Sequence, residues 1–117
     1  MKRAKRKSTL DRLVELRDQG ICALCGLDCE EVERSLAHLF LRSEPPHIAY
    51  RAFKSSIYLK NRDRCWDADH ILPVCRGGGE HLENYRTLCV WCHLKETSRL
   101  ASERKAERWR RTCEFSM

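Results

Sequence analysis

The chain has 117 residues, with 23 Lys and Arg against 17 Asp and Glu and a formal net charge of +6. This length allows one domain of ordinary size and excludes a nucleotide-driven motor or a barrel enzyme. No apolar run approaches the ~18 residues of a membrane helix, and no apolar segment follows the basic start. We therefore expect no membrane partner and an intracellular location, in a bacterial or phage cytoplasm or in a eukaryotic nucleus.

The positive charge is concentrated at the two ends of the chain. Residues 1–7 carry five Lys or Arg and no acid, residues 95–117 carry seven against four acids, and residues 8–94 carry eleven against thirteen. Basic ends on a slightly acidic body favour a polyanionic partner, because each cation that meets a phosphate releases condensed counterions. The alternative is that these charges only keep the helix surfaces solvated.

Capping residues and helical spacing predict three helices in the first half of the chain. The first is capped by Ser8 or Thr9 and ends at Gly20. The second follows a capping box that begins at Asp28, and a pair of prolines after residue 44 ends it. Residues 47–59 have the spacing of a shorter third helix.

The second half reads as two short strands and a long helix. Alternating apolar and acidic residues predict a strand over 65–69, and a second strand is predicted over 85–88. The glycines 77–79 form an open loop between them. Residues 91–111 are rich in good helix formers and predict one long helix. The expected fold class is therefore α+β and mostly helical.

Two Cys-x-x-Cys pairs, Cys22/Cys25 and Cys89/Cys92, carry the strongest chemical pattern. Four thiolates at this spacing predict a tetrahedral structural zinc site that joins the two halves of the chain. The alternatives are a redox pair or unpaired buried thiols. The other cysteines lack such spacing and read as small buried or spare residues, with Cys29 as a substitute ligand; they are Cys29, Cys65, Cys75 and Cys113.

A second group of candidate ligands follows the first strand. Asp69 and His70 alternate at a strand end and should point to opposite faces, so that Asp69 can bind an ion while His70 takes a proton. His93 directly follows Cys92, so the zinc site would fix its direction. Asp69 and His93 can then share one divalent cation whose other ligands are waters. Each residue alone has an ordinary structural explanation, but the combination favours a catalytic site.

The order and spacing of several runs resemble the HNH, or ββα-metal, endonuclease family. These runs are residues 69–73, 77–79, 82–84 and 88–93, and the resemblance is densest over 65–97. It implies a ββα-metal core with a four-cysteine zinc site and additional helices before it.

The resemblance also implies a division of the chain. A basic tail would precede a single nuclease domain with three parts. Its helical first half holds the first cysteine pair, its middle is the ββα-metal motif, and its end is a basic helix. The corresponding ranges are 1–7 for the tail, 8–117 for the domain, and 8–64, 65–97 and 98–117 for its parts.

The same resemblance implies a role for each site residue. His70 would be the general base, Asp69 and His93 would bind the catalytic metal, and Asn84 would tie the loop so that His70 keeps its tautomer. Thr97 stands where some HNH nucleases have a further histidine, so the ion would have two protein ligands. Mg²⁺ or Mn²⁺ suits this ligand set best, and Ni²⁺ or Zn²⁺ is also compatible.

We therefore expect a metal-dependent endonuclease that hydrolyses DNA phosphodiester bonds. Arg76, Lys95 and Arg99 are the candidate DNA contacts, and Asp67 is a candidate partner for the metal ligands. Recognition would be of the phosphate backbone, including that of branched or single-strand-containing DNA. The alternative is a non-catalytic, zinc-stabilised module that binds DNA or protein. The sequence leaves open the oligomeric state, the physiological metal, and whether one or both strands are cut.

Overall fold

The computed structural model describes residues 8–115, so the basic tail 1–7 lies outside the described residues. Within that range the chain forms four α-helices, one two-stranded sheet and two short 3₁₀ turns before the second strand. The elements are α1 (Thr9–Asp18), α2 (Cys29–Arg42), α3 (Ile48–Ser56), β1 (Trp66–His70), the turns Val74–Arg76 and Leu82–Asn84, β2 (Tyr85–Cys89) and α4 (Val90–Phe115). The α+β, mostly helical class is confirmed.

The first two helices begin where their capping residues predict. The Ser8 hydroxyl accepts a hydrogen bond from the Asp11 amide at 3.1 Å, and the Asp28 carboxylate accepts one from the Glu31 amide at 3.2 Å. These caps satisfy amides that have no partner within the helix. Gly20 follows α1 with φ of 72°, a left-handed conformation that favours glycine.

The two strands pair antiparallel from Trp66 opposite Cys89 to His70 opposite Tyr85. The first strand begins one residue later than the predicted 65–69. The amide of Cys65 donates to a Glu33 carboxylate oxygen at 3.0 Å, while its carbonyl oxygen accepts from the Val90 amide at 2.9 Å. The second strand ends one residue later than the predicted 85–88, α3 is shorter than 47–59 and α4 is longer than 91–111.

The core lies between α1, the sheet and the start of α4. Val14, Leu59, Trp66 and Leu88 are essentially inaccessible to solvent. Full burial of side chains of this size contributes about 1.5–3 kcal/mol each before entropy is subtracted. A small core of this kind benefits from an additional cross-link, which the cysteine pairs can provide.

Polar contacts fix α1 against the sheet. The Arg17 guanidinium donates to the carbonyl oxygens of Leu82 at 2.9 Å and Tyr85 at 2.6 Å. Asp18 accepts from both the amide (3.2 Å) and the hydroxyl (3.0 Å) of the fully buried Thr87. The hydrogen bond from Arg17, with a smaller contribution from Thr87, lowers the pKa of the Asp18 carboxyl against the opposing effect of burial. This tie holds the turn after α1 beside the end of β2.

Candidate metal centres and catalytic site

The four paired cysteines converge from two distant parts of the chain. Cys22 and Cys25 lie in the turn between α1 and α2, Cys89 ends β2, and Cys92 lies in the first turn of α4. Their sulfur atoms all lie within 4.8 Å of one another. The Sγ atoms of Cys25 and Cys89 are 3.8 Å apart. Zn–S bonds of about 2.3 Å give a tetrahedron with S–S edges of about 3.8 Å, so these cysteines fit a structural zinc ion.

Backbone hydrogen bonds hold the turn that contains Cys22 and Cys25, so the conformation of this turn does not depend on metal binding by the sulfurs alone. The amide of Gly26 donates to the Cys22 carbonyl and the amide of Cys22 donates to the Leu27 carbonyl, each at 2.9 Å. The amide of Ala23 donates to the Thr87 carbonyl at 2.8 Å, which connects the turn to β2. The site is therefore built on the edge of the sheet.

The ionisation of the four cysteine thiols also favours a bound cation. Burial opposes the charge on Cys22, yet hydrogen bonds from backbone amides, including those of Cys89, Cys25 and Leu24, lower the pKa of its thiol to about 6. At Cys92, burial and the neighbouring thiols raise the pKa instead. One thiolate is thus readily formed in the cluster, whereas four require a positive ion among them.

The second group of ligands centres on the imidazole of His93. Its Nδ1 lies 2.9 Å from a carboxylate oxygen of Asp67, and its Nε2 lies 3.5 Å from Oδ1 of Asp69. Two ligands with metal bonds of about 2.1 Å can stand between about 3.0 and about 4.2 Å apart, so Asp69 and His93 fit a shared divalent cation. With Nδ1–H donated to Asp67, Nε2 presents its lone pair toward Asp69, and a cation between them would satisfy both.

Arg62 supports this arrangement from the connector before β1. Its guanidinium binds the other oxygen of Asp67 at 2.6 Å. Burial raises the pKa of the Asp67 carboxyl, but the hydrogen bonds from His93 and Arg62 outweigh it and the pKa is lowered. Asp67 therefore stays an anion that orients His93, one of the two predicted ligands of the catalytic metal. The sequence pattern does not reveal this role of Arg62.

Arg86 is a further residue that the sequence pattern did not reveal. It lies opposite Asp69 in the sheet, with its guanidinium 3.4 Å from Oδ2 of Asp69 and 3.6 Å from Glu96. The oxygen that Arg86 contacts is not the oxygen that faces His93. Asp69 can therefore keep this ion pair while its Oδ1 binds a cation.

A hollow of about 500 Å³ opens beside this second group of ligands. Asp67 and His93 form part of its wall, and Thr97 lies one turn further along α4. Tyr58 and Lys60, which follow α3, also line it. A ligand in this hollow would lie against the side chains of Asp67 and His93.

His70, the predicted general base, contacts a different set of residues. Its Nε2 lies 2.9 Å from a carboxylate oxygen of Glu80, and its ring packs against Tyr85 with centroids 4.4 Å apart. The Tyr85 hydroxyl donates to the other oxygen of Glu80. Within residues 8–115 we find no hydrogen-bond partner for Nδ1 of His70, so that nitrogen is open to a water molecule. Glu80 was not singled out from the sequence.

Asn84 closes the loop between the strands. Its side chain accepts from the Leu72 amide at 2.9 Å and donates to the carbonyls of Leu72 at 3.1 Å and Gly79 at 2.8 Å. A Cβ at Gly78 would lie 1.7 Å from the Leu72 carbonyl oxygen, so only glycine allows this approach. Asn84 thus ties the loop and makes no direct contact with His70.

The three residues predicted to contact DNA differ in whether their side chains already form ion pairs within the protein. Arg76 pairs with Glu107 at 3.0 Å, and Arg99 pairs with Glu96 at 3.0 Å and Glu103 at 2.5 Å. Lys95 lies exposed on α4. Exposed pairs of this kind contribute little to stability and can exchange partners, so the arginines can still meet phosphate at a reduced gain.

Among the cysteines whose side chains the structure describes, those outside the two pairs do not join the four-sulfur cluster. Cys29 and Cys65 are fully buried, as expected for small apolar residues, and each lies near the other's carbonyl oxygen. Cys75 is exposed, so it is spare and not buried. The structure does not describe the side chain of Cys113.

The two strands, the following helix and the adjacent four-cysteine cluster are the arrangement that the HNH resemblance predicted, and comparison with known proteins agrees. Residues 57–99 match the family described as HNH endonuclease. The chain is 33% identical to the human protein "DNA annealing helicase and endonuclease ZRANB3" and 32% identical to its mouse counterpart. Each alignment covers 78% of this chain and 9% of the relative, so the chain spans a small part of those proteins.

A solved structure shows the same arrangement. The crystal structure of the human ZRANB3 HNH domain superposes with a TM-score of 0.59 and 27% sequence identity, and the match covers 85% of this chain and 92% of that one. Over most of its length the chain is therefore similar to the HNH domain of human ZRANB3, which confirms the resemblance seen in the sequence. None of the helices formed by residues 8–115 is both long and apolar enough to cross a membrane.

Proposed function

We propose that this protein is a metal-dependent endonuclease that hydrolyses phosphodiester bonds of DNA. The observation that carries the proposal is the distance of 3.5 Å between Oδ1 of Asp69 and Nε2 of His93, whose ring Asp67 orients. His70 lies at the end of the strand that carries Asp69. In this proposal residues 8–64 hold the first cysteine pair, residues 65–97 carry the chemistry, and residues 98–117 add basic charge. The proposed location is intracellular.

The proposed reaction begins with His70 as a neutral imidazole. Its free nitrogen takes a proton from a water molecule, which attacks the phosphorus in line with the departing oxygen. A divalent cation held by Asp69 and His93 would supply positive charge to the phosphate and the departing 3′ oxygen. The products would carry 5′-phosphate and 3′-hydroxyl ends, as the family resemblance implies.

The metal assignments follow from the chemistry of the two ligand sets. Four thiolates suit Zn²⁺ in a closed structural site. One carboxylate and one imidazole, with water in the other positions, suit Mg²⁺ or Mn²⁺, and the imidazole also admits Ni²⁺ or Zn²⁺. The two centres should therefore respond differently to added metals.

DNA would be held through its phosphates by the basic surface that includes Arg76, Lys95 and Arg99. No base-reading element is evident in the sequence, so the proposed recognition is of backbone and shape, including branched or single-strand-containing DNA. The annealing-helicase relatives are named as DNA-processing proteins, which supports DNA as the substrate.

A non-catalytic, zinc-stabilised binding module is the second candidate, and one observation favours it. Arg86 already neutralises Asp69, and Arg62 already neutralises Asp67, so the carboxylates near His93 have ion pairs without a metal. A module of this kind would bind DNA or a protein and cut nothing.

Cleavage of DNA by the zinc-loaded chain separates the two candidates. Linear, nicked, forked and looped DNAs would be incubated with Mg²⁺, Mn²⁺, Ni²⁺ or no added metal. We expect metal-dependent cutting that His70→Ala reduces by at least about 100-fold, because general-base catalysis contributes roughly 10²- to 10⁴-fold. His81→Ala is the matched control, since His81 is an exposed histidine in the adjoining loop. Undiminished cutting by His70→Ala would remove the assigned base.

A further inference from the structure

The loop between the strands places a carboxylate against His70, the proposed general base. We propose that Glu80 is the positioning residue for His70, holding Nε2 as the protonated ring nitrogen and leaving Nδ1 as the proton acceptor. This inference rests on the proposed nuclease function for its kinetic consequence. The hydrogen-bonded state of the ring can be measured without any DNA.

The geometry that supports this role has three contacts. Oε1 of Glu80 lies 2.9 Å from Nε2 of His70, and Oε2 accepts the hydroxyl proton of Tyr85. The His70 and Tyr85 rings pack with centroids 4.4 Å apart, on residues that face each other across the sheet. Tyr85 is only 6% exposed, so it gives the otherwise exposed Glu80 a fixed point of attachment.

The chemical consequence follows from the nature of a carboxylate. An ionised carboxylate only accepts hydrogen bonds, so the Nε2 that it contacts must carry a hydrogen. A neutral imidazole has one N–H, and the lone pair must then be on Nδ1. The hydrogen bonds from Tyr85 and His70 lower the pKa of Glu80, and Glu80 raises the pKa of Tyr85 to about 12, so the acceptor stays charged and the phenol stays protonated.

Glu80 also explains how Asn84 can act on His70 without touching it. The Asn84 amide donates to the carbonyl of Gly79 at 2.8 Å, which fixes the residue immediately before Glu80. Gly78 passes against the Leu72 carbonyl, so the loop has little freedom on that side. Asn84 thus holds the loop, the loop presents Glu80, and Glu80 orients the imidazole.

The direct test is ¹⁵N-edited NMR of the zinc-loaded chain. In the parent we expect an Nε2–H resonance of His70 with a downfield shift and slowed exchange, and an Nδ1 shift typical of an unprotonated nitrogen. Glu80→Ala should lose the downfield, protected N–H while the amide spectrum of the core is unchanged. Glu83→Ala is the control, because Glu83 is an exposed carboxylate of the same loop. A protonated Nδ1 in the parent, or an Nε2–H resonance unaltered by Glu80→Ala, would overturn the inference.

The kinetic test separates this inference from the proposed function. Glu80→Ala should lower kcat about 10- to 100-fold with KM within about 2-fold, because orientation of the base is lost and substrate contacts remain. Glu80→Gln keeps an acceptor oxygen without the charge and should fall between the parent and Glu80→Ala. A rise in KM of similar size, with kcat retained, would contradict a positioning role for Glu80. If the NMR result is as expected but the parent cuts none of the DNAs, the nuclease proposal fails and the assignment of Glu80 as the residue that orients the ring stands.

Discussion

The two candidate metal centres adjoin at the start of α4, where Cys92 precedes His93, but they are built on opposite principles. The cysteine cluster offers four like ligands within 4.8 Å of one another, which favours a closed and permanent site. The Asp69 and His93 centre offers two unlike ligands 3.5 Å apart, and both are engaged by neighbouring charged side chains. The first arrangement suits folding, and the second suits an ion that must also meet water and substrate.

The two centres share the structural elements that position their ligands. His93 follows Cys92 in the first turn of α4, so any rotation of that turn moves both residues together. Asp67 and Asp69 lie on the strand that pairs with β2, whose last residue is Cys89. The closed centre therefore sets the distance between the ligands of the open one.

Loss of a cysteine ligand is expected to have the largest effect. Cys89→Ser should abolish the four-thiolate site and unfold the chain, because structural zinc contributes apparent binding free energies of about 10–16 kcal/mol in small domains. Zinc content by atomic emission and unfolding followed by circular dichroism would measure this. Cys75→Ser, at an exposed cysteine, is the control and should retain both zinc and fold.

The opposite result would end the comparison. If Cys89→Ser keeps a cooperative thermal transition near that of the parent, the cluster does not hold the fold together. The two centres would then no longer differ in the way proposed.

Removal of His93 should have the next largest effect and should spare the fold. His93→Ala removes one of two protein ligands and one of the two partners of Asp67, so Mn²⁺ affinity and cutting should fall by about 10- to 100-fold. Isothermal titration with Mn²⁺ and a cleavage assay would measure the loss, and zinc content would be unchanged. His38→Ala is the control at an exposed histidine of α2. A parallel loss of zinc would show that the centres are not separable.

The regions predicted well from sequence are those fixed by local chemistry. Ser8 and Asp28 mark helix starts because each caps amides a few residues away, and this requires no knowledge of the rest of the fold. The cysteine pairs were recognisable for a similar reason, since the spacing within a pair is local and thiolates have few other uses in groups of four.

The supporting residues were missed because their roles depend on contacts between distant segments. Arg86 meets Asp69 only through the strand register, and a shift of one residue would turn it to the other face. Arg62 reaches Asp67 through the path of a connector, and Glu80 reaches His70 through the path of a glycine loop. Strand positions alone fix neither register nor loop path.

Arg86 gives the smallest and most specific prediction about the open centre. Its guanidinium competes electrostatically with any cation bound to Asp69, because both lie against the same carboxylate. Arg86→Gln should therefore tighten Mn²⁺ binding by about 3- to 10-fold, as expected for removing one nearby positive charge in a partly solvated site, and the effect should shrink as salt is added. Zinc bound by the cysteines should not respond.

The matched control is Arg99→Gln, which removes a cation of α4 that pairs only with Glu96 and Glu103 among the described residues. It should leave Mn²⁺ affinity within about 2-fold of the parent, since no ligand carboxylate loses a neighbour. Weaker Mn²⁺ binding in Arg86→Gln would mean that Arg86 organises Asp69 for the metal and does not compete with it. The open centre would then resemble the closed one in being prearranged for its ion, and the contrast between them would rest on ligand type alone.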